Sequence, residues 1–360
     1  MLGKPVYTEV RQVRESSRLG RTTTSSFWLT GWADQHKIRA DDRIALIPAC
    51  SSLSVTVFTA LLRIGGDCSH PIILMNAFDG NFQFETNLHA NDLRVEVDRK
   101  RAPIVSFTLD SRPRRIVVMV DSSGSMQTSP HRTGFGLALS AAAYTVNVVP
   151  GSASAALVTF GDKIQQESKE FVSRTALGLK VLDLKTMQPK GTTLLFDSIG
   201  QVLSDFPELG VGDAIYVVTD GGDDKSTGSL AKLKEELVSR GVRVFVFLLV
   251  RNDAETEREV RSGSQLIESL ADATGGNVVR LSSAAFAEKD RAPLDELARG
   301  LAGQVENVYR IELGIPPADR ATRTKVSVVN GNRGKNRVHM AYSHEIAPCP
   351  TLAASSTQSR

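Results

Sequence analysis

The chain has 360 residues, 41% of them hydrophobic and 23% charged, with 43 Lys and Arg against 40 Asp and Glu for a formal net charge of +3. These proportions exclude a disordered polyelectrolyte, a collagen-like fibre and a multi-span membrane protein, and the length allows one large core plus a smaller unit. Residues 1–43 hold eight Lys and Arg against five Asp and Glu, so the whole surplus lies in the N-terminal arm; residues 44–360 carry 35 of each sign, with no basic excess to neutralise phosphates, and no nucleic-acid partner is expected.

Residues 1–70 show no sustained apolar period and read as a mostly disordered arm, apart from the uncharged run 44–62 between Arg43 and Arg63. The length of that run suits a marginal membrane span or the apolar part of a signal sequence, and a buried strand or helix equally well. Membrane contact is expected only if it acts as an anchor. Cys50, Cys68 and Cys349 lie far apart without metal-ligand spacing, which leaves open one bridge plus a free thiol or three free thiols. Residues 71–113 form short β-like runs. An apolar stretch at 71–77 is followed by a turn at Asp79-Gly80-Asn81 and a short alternation at 82–84, and 93–97 and 104–109 alternate on either side of 98–102. The segment is too short to be a domain alone.

A regular alternation of strands and helices follows over 114–305. Continuous apolar strands are predicted at 116–120, 155–160, 214–219, 242–250 and 277–281. Helices are predicted at 135–148, stopped before Pro150, and at 177–184, 194–203 and 230–239. Two more fall at 264–274, ended by Gly275-Gly276, and at 293–301, with Pro293 at its start. This is the pattern of an α/β fold with a doubly wound, mostly parallel sheet. Strands at 308–313, 325–329 and 338–342, within 306–346, would complete a small flanking β unit with residues 71–113. Residues 347–360, rich in Ser, Thr and Ala, read as a disordered tail.

The most informative residues follow the first buried strand: Asp121-Ser122-Ser123-Gly124-Ser125-Met126. In open α/β sheets, ligands bind at the carboxyl ends of the strands near the switch in strand order, where Asp121, Ser123 and Ser125 would emerge. A carboxylate and two hydroxyls are hard oxygen donors, suited to Mg²⁺ or Mn²⁺ rather than zinc. Alone the pattern is weak, because Asp and Ser cap and turn any loop. Two further segments strengthen it. Pro189-Lys190-Gly191-Thr192-Thr193 leads into a helix, and the strand 214–219 ends in Asp220-Gly221-Gly222, so that five oxygen donors would share one rim.

These residues resemble the von Willebrand factor A (VWA) domain, a Rossmann-like fold. The resemblance covers residues 114–305, and its metal-ion-dependent adhesion site is matched by Asp121, Ser123, Ser125, Thr193 and Asp220. The family's second glycine of a Gly-Gly-Thr segment is Thr192 here, which leaves Thr192 or Thr193 as the ligand, with Phe196-Asp197-Ser198-Ile199 favouring Thr193. The segment 91–98 with 103–107, and the closing strands near 309–313, 325–328 and 341–342, are similar to a bacterial VWFA-related group common in acidobacteria. That resemblance implies an extracytoplasmic protein, secreted, periplasmic or anchored, with a cytoplasmic location as the alternative.

The resemblance further implies a non-enzymatic adhesion module, in which a bound Mg²⁺ or Mn²⁺ accepts an Asp or Glu side chain of a partner protein. Met126, Gly161-Asp162 and Asp223-Asp224-Lys225 are candidates for the rim, with simple packing as the alternative for Met126. The competing reading is a Mg²⁺-dependent phosphatase using Asp121 as nucleophile. It requires a carboxylic acid two residues later, where this chain has Ser123. A scaffold with a non-functional metal site is the third. His131 reads as an exposed loop residue, and the basic group Arg99, Lys100, Arg101, Arg112, Arg114 and Arg115 as a solvated turn.

Overall fold

The computed structural model describes residues 71–79, 83–110, 112–127, 134–148, 154–250, 257–282, 291–315, 324–330 and 338–346. The arm 1–70 with its run 44–62, the three cysteines, His131 and the tail 347–360 lie outside the described residues.

Four strands come first: β1 (Ile72–Phe78), β2 (Leu93–Val97), β3 (Lys100–Ala102) and β4 (Ile104–Asp110). The α/β layer follows as β5 (Arg115–Asp121), α1 (Gly134–Val148), β6 (Ser154–Phe160), β7 (Ile164–Gln166), α2 (Arg174–Asp183), α3 (Leu195–Asp205), β8 (Ala214–Thr219), α4 (Leu230–Arg240), β9 (Arg243–Val250), α5 (Glu257–Ala273), β10 (Val278–Ser282) and α6 (Arg291–Glu306). Four more strands close the fold: β11 (Val308–Leu313), β12 (Thr324–Asn330), β13 (His339–Tyr342) and β14 (Glu345–Ile346).

The α/β layer is a six-stranded sheet in the order β10-β9-β8-β5-β6-β7, parallel except for the short edge strand β7. Its strands read as unbroken apolar runs because both faces are covered. Ile116, Val118, Val120, Tyr216, Val218, Phe245 and Phe247 pack under α1, α2 and α6. Val117, Met119, Ile215, Val217, Val244, Val246 and Leu248 pack under α3, α4 and α5. The chain runs from β5 outward to β6 and later returns to place β8 on the other side of β5. The reversal of strand order therefore falls between β5 and β8, the expected place for a site. The doubly wound, mostly parallel fold expected from the sequence is the one observed.

The flanking strands form two four-stranded antiparallel sheets, β13-β1-β11-β4 and β14-β12-β2-β3. Their apolar faces meet in one core, with Ile73, Met75, Ala77, Tyr309, Ile311 and Leu313 from the first sheet and Leu93, Val95, Val97 and Ala102 from the second. The two chain ends of the α/β layer enter this sandwich side by side, because β4 and β11 are neighbours and Asp110 is paired with Val308.

Two arginines seal the junction. Arg114 is buried and pairs with Asp110 at 2.9 Å. Arg243, also buried, donates from Nη1 to Asn76 Oδ1 at 3.0 Å and from Nη2 to the carbonyls of Gly212 (2.9 Å) and Val305 (2.7 Å). Burial pushes the Arg243 guanidinium down to about 9, and the charge of Arg114 adds to the effect. The basic group expected to be a solvated turn is thus divided. Arg99, Lys100 and Arg101 are exposed, Arg112 and Arg115 are exposed but ion-paired, and Arg114 lies in the interior because a buried acid, Asp110, is there to meet it. Among the described residues no helix is long and apolar enough to cross a membrane.

Candidate metal centre

The five oxygen-bearing residues predicted from the sequence converge at the carboxyl end of the parallel sheet. Asp121 is the last residue of β5 and is wholly buried. Beyond it the chain makes a single 3-10 turn over Gly124–Met126, with Ser123 buried ahead of it and Ser125 half-buried within it. The two serine hydroxyl oxygens are 3.0 Å apart. Thr193 precedes α3 and Asp220 follows β8, and both are buried.

Backbone hydrogen bonds hold the loops together. Gly124 N–H donates to the Gly191 carbonyl at 2.9 Å, and Lys190 N–H to the Ser122 carbonyl at 2.9 Å. Gly191 has φ +83°, a left-handed conformation that glycine adopts without strain, and a Cβ on Gly124 would stand 3.1 Å from Gly191 O. The third loop is tied by Asp224 and Lys225 N–H, both donating to the Thr193 carbonyl at 3.1 Å. Leu195 N–H donates to Asp223 Oδ1 at 2.9 Å and fixes the start of α3.

The electrostatics are unusual for a core. Asp121 accepts from Ser123 N–H through Oδ1 (2.9 Å) and from the Thr219 hydroxyl through Oδ2 (2.6 Å). Asp220 accepts from Gly222 N–H through Oδ1 at 3.1 Å, while its buried Oδ2 has no partner among the described residues. No ion pair reaches either carboxylate among the described residues. Burial, followed by the charge of Asp220, pushes the Asp121 carboxyl up to about 7 despite its hydrogen bonds. A Cβ on Gly222 would lie 3.3 Å from Asp220 Oδ1 and 3.8 Å from Thr193 Oγ1, so the Thr193 hydroxyl stands beside Asp220. Thr192, the alternative, is only half-buried.

Thr219 was not among the residues predicted for the site. Its hydroxyl donates to Asp121 and accepts from Gly221 N–H at 3.0 Å, which links the β5 and β8 loops through one buried oxygen. The sequence signal was a hydroxyl residue directly before Asp220, indistinguishable there from a β-branched strand residue. Of the expected rim, Met126 packs into the core under α1 and is not available to a ligand. Asp223 and Asp224 bond to the α3 approach, and Asp162 and Lys225 are exposed. No group of three or more His, Cys, Asp or Glu able to hold a metal is found among the described residues.

A family model described as VWA domain containing CoxE-like protein matches residues 95–275. The chain belongs to this family. The match begins in β2 of the sandwich and ends at the turn before β10, so it spans the three loops that carry Asp121, Thr193 and Asp220. No curated protein matches the sequence at a significant level. Among solved structures, the VWA chain is similar to BatB from Bacteroides thetaiotaomicron, with 16% identity over 52% of this chain and 98% of that one and a TM-score of 0.39. It is also similar to an aerotolerance-related membrane protein from Bacteroides fragilis, with 16% identity over 53% and 98% and a TM-score of 0.39. A von Willebrand factor type A protein from Catenulispora acidiphila shares 14% identity over 78% of this chain and 75% of that one, with a TM-score of 0.44.

Proposed function

We propose that this VWA protein is a divalent-cation-dependent binding module. Asp121, Ser123, Ser125, Thr193 and Asp220 would hold one Mg²⁺ or Mn²⁺, and the partner would be a protein presenting an Asp or Glu side chain. VWA domains are modules that often mediate protein interactions, and the metal and the acidic ligand are the finer part of this reading.

The observation that carries it is the Oδ2 of Asp220, without a partner among the described residues and buried beside a second buried carboxylate. An uncompensated buried charge costs several kcal/mol, so a pair of them calls for a cation. Neutral hydroxyls in the rest of the set favour a hard ion. When bound, the ion supplies a Lewis-acidic position for an anionic oxygen. The protein's own residues do the remainder. Ser123 N–H and Thr219 fix the Asp121 carboxylate, Gly222 N–H fixes that of Asp220, and the loop bonds keep all three segments in register. Hydrolysis through Asp121 is disfavoured because the leaving-group acid it needs is replaced by Ser123, which is buried and cannot do acid chemistry.

Calorimetry of Mg²⁺ and Mn²⁺ added to the EDTA-stripped protein tests the reading. Saturable binding of one ion per chain, lost in Asp121→Ala and Asp220→Ala proteins that keep their circular dichroism, is expected. Equal heats from parent and variants would overturn it. A partner captured through the site should be released by EDTA.

A further inference from the structure

We propose that helix α5 positions the Asp220 carboxylate, and that Gly263 is the residue through which it does so. The consequence for ion affinity rests on the metal reading above; the contact itself does not.

Gly263 lies within α5 and is buried. Glycine weakens a helix interior, so its place there calls for a close neighbour. That neighbour is the loop after β8. The carbonyl oxygen of Gly221 stands where the Cβ of any larger residue at 263 would be, and Asp223 N is 3.4 Å from the same point. Gly221 has φ +85°, and a Cβ on it would in turn be 3.3 Å from Ser264 Cα, so backbone meets backbone from both sides.

The contact bears on Asp220 because a peptide unit is rigid. The Gly221 carbonyl and the Gly222 N–H belong to one planar group, in which oxygen and hydrogen point in opposite directions. On one side the oxygen abuts Gly263. On the other, the N–H donates to Asp220 Oδ1 at 3.1 Å, that carboxylate's one hydrogen bond among the described residues. The backbone of α5 thus sets the plane of the peptide that aims Asp220, and with it the direction of the buried Oδ2.

The helix is pinned and cannot retreat. Ile267, Leu270 and Ala271 fill the core beneath it. Just past its end, Thr274 Oγ1 accepts from Val244 N–H of β9 at 3.0 Å. The β13–β14 turn of the sandwich grips the same end: Ser343 Oγ is 3.1 Å from the Ala273 carbonyl oxygen, and His344 Nε2 is 3.1 Å from Asp272 Oδ1. Roughly 15 Å of helix separates this anchored end from Gly263. A methyl group at 263 must therefore be absorbed by the loop, and turning the Gly221–Gly222 peptide takes its N–H away from Asp220.

The test uses the full chain and begins in EDTA, where amide hydrogen exchange read by NMR needs no bound ion. In the parent, the Gly222 N–H should exchange within about tenfold of the Val246 N–H of β9, which reports the stability of the whole layer. In Gly263→Ala, Gly222 should exchange about tenfold faster or more relative to Val246, the change that matches a lost hydrogen bond to a charged group. Ile267→Val removes a buried methyl from the same helix and should speed both amides alike. With Mg²⁺ added, calorimetry should show affinity about 10–100-fold weaker in Gly263→Ala and unchanged in Ile267→Val. Fast exchange of Gly222 in the parent would overturn the proposal even if Gly263→Ala does not fold. So would a Gly263→Ala protein whose Gly222 keeps pace with Val246, or one that binds Mg²⁺ as the parent does. A parent that binds no Mg²⁺ would remove the metal reading and leave the exchange result to decide this one.

Discussion

Replacing Thr219 by Val tests whether one buried hydroxyl couples the two carboxylate-bearing loops. Val preserves the shape and β-branching of a strand residue that is wholly buried, so no cavity forms and only the hydroxyl is lost. Two bonds go with it: the 2.6 Å donation to Asp121 Oδ2 and the 3.0 Å acceptance from Gly221 N–H. A hydrogen bond to a charged group is worth about 1.5–3 kcal/mol, and a stranded buried N–H costs about 1–3 kcal/mol. The added methyl returns ~1 kcal/mol by burial. A net loss of about 3 kcal/mol is therefore expected in urea unfolding of the metal-free protein at pH 8, above the raised range of Asp121. Thr219→Ser, which keeps the oxygen, should lose far less. If the five proposed ligands hold Mg²⁺, Thr219→Val should also weaken its affinity by about 10–100-fold, the usual effect of removing a partner that orients a ligand. A Thr219→Val protein within ~0.5 kcal/mol of the parent, below the worth of a typical net hydrogen bond, would refute the coupling.

Arg243→Met should destabilise the fold by about 3–5 kcal/mol, because it strands the carbonyls of Gly212 and Val305 and the Asn76 side chain in a dry interior. Chemical denaturation checks this, and the proposed Mg²⁺ binding at the opposite end of the sheet is expected to be unaffected. For Asp110, burial pushes the carboxyl up, but hydrogen bonds from Arg112 and Arg114 outweigh it and hold the group well below the usual carboxylate range. A depressed folded value contributes stability that is complete above the unfolded pKa, ~3.9, and is lost as pH falls through the folded one. Asp110→Asn should therefore cost about 3 kcal/mol at neutral pH, and the gap between variant and parent should narrow only below about pH 4. Denaturation at several pH values reads this directly, and a gap already closing at pH 6 would contradict it.

The α/β layer was legible because its strands are buried on both faces and so leave continuous apolar runs. Residues 214–219 were predicted to the residue. The helix expected at 264–274 begins at Glu257, since the charged stretch before 264 carries little of the apolar period that marks a helix. Strands β3 and β7, three residues each, are too short for any alternation to show. Of the 82–84 run, Phe84 forms a lone bridge to Phe78, and residue 82, like 80 and 81 of the expected turn, lies outside the described residues. Asp121, Ser123, Ser125, Thr193 and Asp220 could be placed together because each ends a strand or opens a helix at the same rim. Thr219 and Arg243 could not, since their roles depend on partners between 31 and 167 residues away that no local pattern records. Pairings between β1 and β11, or between β2 and β12, are likewise invisible to a reading of local periods.

The insertion of the α/β layer between β4 and β11 has a consequence for the order of assembly. Asp110 and Val308 face each other across the whole length of that layer, and Ile72 pairs with Glu312 from further apart still. Closing loops of that size costs entropy before any contact rewards it, and it makes such pairings late events. The neighbouring strands β5 and β6, or β8 and β9, are close in sequence and can meet early. Once they have, the two ends of the layer are delivered side by side and the sandwich closes across a short gap. The junction of Arg114, Arg243 and their partners then records that the layer beneath is complete, and a chain stalled in folding the layer would present unpaired β1 and β4 strands.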